Sequence, residues 1–516
     1  MRKILLVAVF ISGMVTLAAE MATGRLLGNY FGTSNLIWAS IIGLILIYLT
    51  VGYYIGGKWA DHSPKYETFF SILAWGAFAI TLVPFAARPI LRIAANAFDQ
   101  LWIGNLIGSF IVVMILFIIP ITLLGTASPF AIRLAIQDSR QAGSVSGKIY
   151  AVSTLGSFVG TFIPDILLIP LIGTYRTFLV IGSILLIFSL IALGSIVHWK
   201  KAVRLIWMPM IVIILAIYGA PGTDKNTEGM VFETESSYNY IQVLEVNDFY
   251  LLRLNEGQGV HSIYHPQQLN YFGPWEQVLV APFFNNPPIK VQDIQSMAII
   301  GLAAGTTARQ ASEVFPGIQI DGFEIDPKIV EVGNEFFGMQ VPNLTVYVQD
   351  GRWGLSTSQK TYDIISVDAY RPPYIPWHFT TKEFFREVYD HLDADGVMVI
   401  NIGRGLDDRR LIDALGSTIL DVFPTIHVMD LPDSFNSILF ATKSPTVSSN
   451  LANNYQQLIH SQIHPLLQDT MKITMDNLQK PPGRTIVFTD DKAPIEWLTN
   501  AMIIDFFLQG EMETLQ

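Results

Sequence analysis

The sequence predicts a multi-pass α-helical membrane domain joined to an α/β domain built on a doubly wound sheet, the latter preceded by a small antiparallel β-domain. Three observations predict this. Hydrophobic residues make up 51% of the 516 residues at a mean hydropathy of +0.41, more than an ordinary soluble chain carries. Charge is divided: residues 1–220 hold 14 Lys/Arg and 6 Asp/Glu, a balance of +8, and the remainder hold 18 and 37, a balance of −19. Beyond residue 290, strand-length apolar runs alternate with amphipathic helical stretches. The boundaries read as 1–220 for the membrane domain, 231–275 for the small β-domain, 290–445 for the doubly wound domain and 446–516 for a helical extension carrying TDDKAPIEW.

In the first half, apolar runs near residues 4–24, 35–57, 68–87, 103–125, 149–172 and 177–197 are long enough to span. A seventh run, Leu205 to Tyr218, is short and contains Pro209, so six and seven crossings both remain open. Arg88 to Trp102 alternates apolar and polar residues, as an interfacial helix does. Lys and Arg gather at Arg2/Lys3, Lys58/Lys65, Arg133/Arg140/Lys148 and Lys200/Lys201/Arg204, which predicts a cytoplasmic amino terminus. No A-x-A-like site follows the first run, which is therefore expected to stay as a helix. Gly52-xxx-Gly56 and Gly156-xxx-Gly160 predict close helix packing. GGKWADHSPK resembles the cytoplasmic loop motif of major facilitator transporters in Gly57, Asp61 and Lys65. Glu20 and Asp165 lie inside apolar runs, where a carboxylate is costly unless paired or hydrated. One reading gives each a function. The other pairs Glu20 with Arg25 and sets Asp165 on backbone groups freed around Pro164 and Pro170.

From Val231 the texture alternates apolar and polar residues, broken at Val246-Asn247-Asp248 and Asn255-Glu256-Gly257, as a small antiparallel sheet requires. Strands are then expected at Met297–Gly301, Gln319–Glu324, Leu344–Val348, Tyr362–Val367, Val397–Asn401 and Ile426–Met429, with helices starting near Thr307, Pro327, Thr380 and Asp407. Ligands of such sheets bind beyond the carboxyl ends of the strands, so the residues there are the candidates. After the first strand stand Gly301 and Gly305 in GLAAGT, small enough for a ligand to approach the backbone. After the second stands Glu324 in EIDP, placed to take two ribose hydroxyls, with Pro327 suited to the first turn of a helix. After the third come Asp350 and Gly351, a turn that can meet an adenine edge. After the fourth stands Asp368, in SVDAYRPPYIPWH. Thr380-x-x-Glu383, flanked by Phe379 and Phe384, reads as a capping box with a staple.

These motifs, in this order, resemble the spermidine synthase (polyamine aminopropyltransferase) family, in its membrane-fused branch, and so imply a class I methyltransferase-like (Rossmann-like) fold. GLAAGT is similar to the family's Gly-rich loop, EIDP recurs intact, Asp350-Gly351 matches its D-G, and Asp368 falls on the strand-end Asp of D-S-T-D-P. Upstream, Glu235 to Asn239 resembles E-x-x-Y-Q, and FTDDKAPIEW resembles a closing motif of membrane-fused members. The resemblance implies a decarboxylated S-adenosylmethionine donor, with no permanently bound cofactor. It sets Glu324 on the ribose, Asp350 on the adenine, Asn239 near the thioether and Asp368 as the base toward an amine acceptor. Tyr370, Arg371, His378, Asp490 and Asp491 are acceptor-site candidates. Departures accompany it. The family's loop Asp is Ala304, its Gln is Asn239, and its second D-S-T-D-P Asp is Arg371, a cation that opposes a diamine. The family's Tyr-His pair has no clear equivalent; His261 and Tyr264 stand nearest.

Two other functions stay open: a methyltransferase using ordinary S-adenosylmethionine, and a non-catalytic sensor or transport domain fused to a nucleoside-binding domain. No metal site is expected. The absence of cysteine excludes thiolate ligands, disulfides and Cys nucleophiles. The expected partners are the lipid bilayer and a small amine, with a homodimer as candidate assembly. An acidic half without a basic stripe argues against nucleic acid. A donor made in the cytosol favours a cytoplasmic catalytic half.

Overall fold

The computed structural model describes residues 2–508 apart from 32–34, 99–101, 219–224, 226, 256–258, 371–373, 406–407 and 461–462. Packing divides the chain into two units, Met1–Ile241 with Leu254–Gly257, and Gln242–Arg253 with Gln258–Gln516.

In the first unit seven helical stretches among the described residues are long and apolar enough to cross a membrane: Lys3–Phe31, Ile37–His62, Tyr66–Leu91, Gly108–Ala135, Ala142–Ile172, Thr174–Val197 and Trp199–Tyr218. They are called spans 1 to 7. The seventh reaches 20 residues because a basic turn of helix, Trp199–Val203, precedes the apolar Trp207–Tyr218. The separate interfacial helix expected over Arg88 to Trp102 is corrected by the fold: one helix runs Tyr66–Phe98 through Pro84 and Pro89, and the next begins at Trp102. Proline is tolerated there because neighbouring helices re-satisfy the backbone it leaves unpaired.

Close approach follows the small residues. A Cβ on Gly156 or Gly160 of span 5 would stand 2.0 and 2.1 Å from the carbonyl oxygens of Phe10 and Met14 in span 1, so only glycine fits. A Cβ on Gly52 or Gly56 would collide with the backbone at Thr122 and Thr126. The pairing of 10 with 156 and 14 with 160 rises together, so spans 1 and 5 run parallel. Beyond span 7 the chain forms β1 (Met230–Glu235), whose last carboxylate binds helix ends. Glu235 accepts from the Thr174 backbone N–H (2.8 Å) and hydroxyl (2.5 Å) and from Asn29 Nδ2 (3.0 Å). Arg25 donates to the carbonyls of Ser236 and Tyr238.

β1, β2 (Tyr240–Val246), β3 (Phe249–Leu254) and β4 (Val260–Tyr264) form a sheet in chain order, with β3 and β4 antiparallel. The second unit is built on an eight-stranded sheet: β5 (Ser296–Ile300), β6 (Gln319–Glu324), β7 (Leu344–Val348), β8 (Tyr362–Val367), β9 (Leu392–Gly403), β10 (Thr425–Asp430), β11 (Asn436–Thr442) and β12 (Leu478–Gln479). Their order is 12-10-11-9-8-5-6-7. β5 to β9 pair in parallel, whereas β10, β11 and β12 add antiparallel. β5 shows why the run is continuously apolar: Met297 and Ile299 face one core, Ala298 and Ile300 the other. The order turns at β5, since the chain runs outward through β6 and β7 and then returns to β8 on the other side. The carboxyl ends of β5 and β8 therefore flank a crevice.

The helix that follows TTKEFF spans Lys382–Asp390, and its cap is Thr381 rather than Thr380. Thr380 donates instead to the Trp377 carbonyl, and Glu383 accepts from the Asp490 backbone rather than closing a capping box. Asp407 lies outside the described residues; the helix there is Arg410–Ile419.

Candidate active site

Gly301 ends β5 with φ +86°, and a Cβ there would meet the Asp368 carbonyl oxygen at 2.6 Å. A side chain would push the two strand ends apart, so glycine lets them close. The loop continues through Ala303 (φ +48°) to Gly305 (φ +82°), which precedes the helix Thr306–Val314. Its geometry is tied to Glu324 at the end of β6: Oε2 accepts from the Ala303 N–H (2.9 Å) and Oε1 from the Asp326 N–H (3.0 Å). Burial, aided by the Asp326 charge, pushes the Glu324 carboxyl up to about 7, against the pull of the Asp326, Ala303 and Ile325 N–H groups. A carboxylate has about four acceptor sites, so lone-pair room remains for a further hydroxyl donor. Asp326 caps the helix Pro327–Phe336.

Asp368 follows β8. Its N–H donates to the Ile300 carbonyl (2.9 Å), and its Oδ1 accepts from Asn401 Nδ2 (3.1 Å). Burial raises its carboxyl to about 6, with the Asn401 bond opposing. The other amide atom, Asn401 Oδ1, is buried without a hydrogen-bond partner among the described residues. Tyr370 donates to the Asn401 carbonyl (3.1 Å) and accepts from the Gly403 N–H (2.7 Å). Burial and the Asp368 charge push its hydroxyl far up, so it braces the strand ends as a neutral phenol.

A cavity of about 700 Å³ opens on this crevice, lined by Gly301, Asp368, Tyr370 and Asn401 and, across from them, by His261, Gln277 and Asp433. His261 Nε2 and Gln277 Nε2 are buried and unpartnered among the described residues. Burial lowers His261 to about 4, so it is neutral at physiological pH. Asp433 sits at φ +52° in the turn between β10 and β11, a turn pinned by Arg404 Nη2 on the Ser434 carbonyl (3.0 Å). No Lys or Arg is among the described lining residues. With the carboxyls of Asp368 and Asp433 on its wall and a neutral His261, the described lining favours cations.

The other candidates fall elsewhere. Asp350 caps the helix Gly351–Thr357 through Trp353 N–H (2.9 Å), and its Oδ2 lies 3.3 Å from His378 Nε2. The His378 bond, foremost, holds the Asp350 carboxyl below the usual range. A Cβ on Gly351 would meet Ile300 Cγ2 at 2.5 Å, which places this turn against β5. Asp490 is taken by Arg352 Nη1 and Nη2 (2.8 and 2.9 Å) and by the Thr381 hydroxyl (2.6 Å). Asp491 is exposed, and the helix after it starts only at Ile495. Neither Asp490, Asp491 nor His378 lines the cavity. Arg371 lies outside the described residues. Asn239 belongs to the first unit, where its Oδ1 accepts from Asn255 Nδ2 (3.0 Å). Sequence reasoning misses Asn401, Gln277 and Asp433. Asn401 carries a usable signal, because it is a polar residue near the end of the apolar run VMVI, as Asp368 is for IISV.

The fold and crevice define a doubly wound α/β unit with an acid at the strand end, attached to a multi-pass helical unit. Residues 288–438 match the model of the spermine/spermidine synthase domain family. A probable polyamine aminopropyl transferase of Bifidobacterium longum is 31% identical over 283 residues, 52% of this chain and 62% of that protein. The chain thus covers less than two thirds of that relative's length. The eEF1A lysine and N-terminal methyltransferase of Xenopus laevis is 28% identical over 166 residues, 30% of this chain and 24% of that one. The crystal structure of a probable spermidine synthase from Corynebacterium glutamicum superposes with a TM-score of 0.39 at 18% identity, over 52% of this chain and 99% of that one.

Proposed function

We propose that the chain is a membrane-anchored aminopropyltransferase that moves an aminopropyl group from decarboxylated S-adenosylmethionine to an amine. The observation that carries this reading is Asp368: a carboxylate with a raised proton affinity, at the turning point of the sheet, in a cavity with no Lys or Arg among its described lining residues. An acceptor amine is mostly protonated near neutral pH, and only its lone pair attacks. Asp368 takes the proton and orients the nitrogen. The nitrogen bonds to the carbon beside the sulfonium, the C–S bond breaks, and its electrons remain on sulfur as a neutral thioether.

Glu324 receives the ribose hydroxyls and Asp350 the adenine edge, through the lone pairs left by Trp353 and His378. Asn239 is carried over from its motif. Asn401 Oδ1, beside Asp368, accepts a second N–H of the amine. Asp433 is the second anion on the acceptor side, in place of the carboxylate that Arg371 replaces. A methyl-transferring reading is supported by the similarity to the eEF1A methyltransferase. The test is incubation with each donor and a panel of amines, read by mass spectrometry. An aminopropyl adduct only with the decarboxylated donor is expected. Methylated product alone supports the second reading, and no product with either donor overturns both.

A further inference from the structure

Glu20 is left over by this chemistry. It lies within span 1, only 8% exposed, and makes no hydrogen bond or ion pair among the described residues. The bland expectation, a pair with Arg25, fails because Arg25 spends its guanidinium on the carbonyls of Tyr238 (3.0 Å) and Ser236, with Glu235 at 3.8 Å. A carboxylate at such a place is costly unless a cation meets it.

What it faces can be read from the helix register. Gly13 abuts the Ser153 carbonyl and Ser157 hydroxyl of span 5. Seven residues turn a helix by nearly two full turns, so Glu20 shares that face. Phe10 meets Gly156 and Met14 meets Gly160; continuing the same register sets Glu20 level with Ile166. That residue is inside the π-helical turn Pro164–Leu168, where span 5 departs from α-helical pairing. Pro164 has no N–H to give to the Gly160 carbonyl four residues back. A carboxylate thus stands beside a helix break that loosens backbone carbonyls, the combination with which discontinuous membrane helices hold cations. Charged groups toward the same end of these spans include Asp165, exposed on the same turn and under the field of Arg25, Glu235, which bonds Asn29 and Thr174 and stands 3.8 Å from Arg25, Arg88, stacked 4.5 Å over Tyr175, and Arg176 at the start of span 6.

We propose that Glu20 and the break at Gly160–Pro164 form an intramembrane site for an exchangeable monovalent cation, either a proton or a protonated amine. The site belongs to the helical unit and does not depend on the transferase reading. The test treats the detergent-solubilised full chain with dicyclohexylcarbodiimide, which modifies protonated intramembrane carboxyls, and maps the adduct by peptide mass. Modification of Glu20 is expected, and Glu20→Gln removes it while the thermal melt of the protein is kept. A fall of tenfold or more on raising the pH by two units identifies the proton as ligand. An equal fall at fixed pH on adding 1,4-diaminobutane identifies the amine. Absence of the adduct from the native chain, or an adduct indifferent to both pH and diamine, shows a static carboxyl and overturns the proposal. If Glu20→Gln fails to fold, the titration of the native chain decides alone, with Glu20→Asp as the variant that keeps the carboxyl.

Discussion

Raising the pH from 6 to 8 should tighten nucleoside binding, and Glu324 sets the size of the effect. Its carboxyl is at about 7 in the free protein. Ionised fraction therefore rises from roughly one tenth at pH 6 to nine tenths at pH 8. A ribose diol donates two hydrogen bonds and selects the ionised form, so affinity for methylthioadenosine should rise about tenfold across that range, with proton release on binding near pH 7. Glu324→Gln should abolish the slope and weaken binding at pH 8 by about 1.5–3 kcal/mol, the usual worth of hydrogen bonds to a charged group. Stability changes with the opposite sign. A carboxyl raised from 4.5 to about 7 on folding leaves the folded state holding the extra proton, so stability falls as pH climbs through that window, by on the order of 3 kcal/mol. Calorimetric titration in two buffers of different ionisation enthalpy measures both affinity and proton count. Equal affinity at pH 6 and 8, or the same slope in Glu324→Gln, would refute the assignment.

On the proposed function, Asp368→Asn should cut turnover by about 10²–10⁴-fold and leave methylthioadenosine affinity unchanged; in the unsubstituted chain, turnover should fall about tenfold per pH unit below about 6, where Asp368 gains its proton. Asp433→Asn should raise KM for a dicationic acceptor about fivefold, the worth of a partly exposed ion pair, with little change for a monoamine; equal KM shifts for both would count against a counter-charge role. Arg352→Ala strands Glu387 and Asp490 and should lower stability by about 1–2 kcal/mol in urea unfolding; an unchanged midpoint would mean the pair only decorates the surface. In intact cells an impermeant maleimide should label a cysteine placed at exposed Glu228 and spare one at exposed Lys65 in this Cys-free chain; the reverse pattern inverts the topology.

Local rules carry far in this chain and stop at identifiable places. Period and punctuation suffice for β5 to β8, because each strand is a short apolar run closed by a polar or small residue. β11 escapes them: Asn436–Thr442 follows its partner after Pro432-Asp433-Ser434, residues that mark a turn but, without a two-residue glycine turn, do not specify an antiparallel return. Asp433, riding on that turn, is hidden for the same reason. Asp490 misleads for another. Its neighbours in sequence suggest an acceptor contact, yet its partner Arg352 is 138 residues away, and no local pattern encodes such a pairing. The strand-end positions of Asp368 and Glu324 are legible because they depend on where an apolar run stops rather than on a distant partner; Asp368 lines the cavity, and Glu324 holds the Ala303 N–H of the loop that does.

The side of the membrane at which the chain leaves the helical unit follows from parity and from one carboxylate. Span 1 ends at Phe31, and span 5, which runs parallel to it, ends at Ile172 on the same face. Glu235 bonds Asn29 near the first end and Thr174 just past the second. After six crossings residue 235 would sit on the opposite face, some 30 Å of hydrocarbon from both partners. Its bonds thus require that Trp199–Tyr218 cross as the seventh span. With Arg2, Lys3, Lys58, Lys65, Arg133, Arg140, Lys148, Lys200, Lys201 and Arg204 on the amino-terminal side against Arg25, Arg88, Arg92 and Arg176 on the other, the charge rule predicts a cytoplasmic amino terminus and, after seven crossings, an exit of the helical unit on the far face, the pattern that the maleimide labelling of Glu228 and Lys65 positions tests. The expectation of a cytoplasmic catalytic half, drawn from a donor made in the cytosol, opposes that prediction, and the labelling pattern decides between the two.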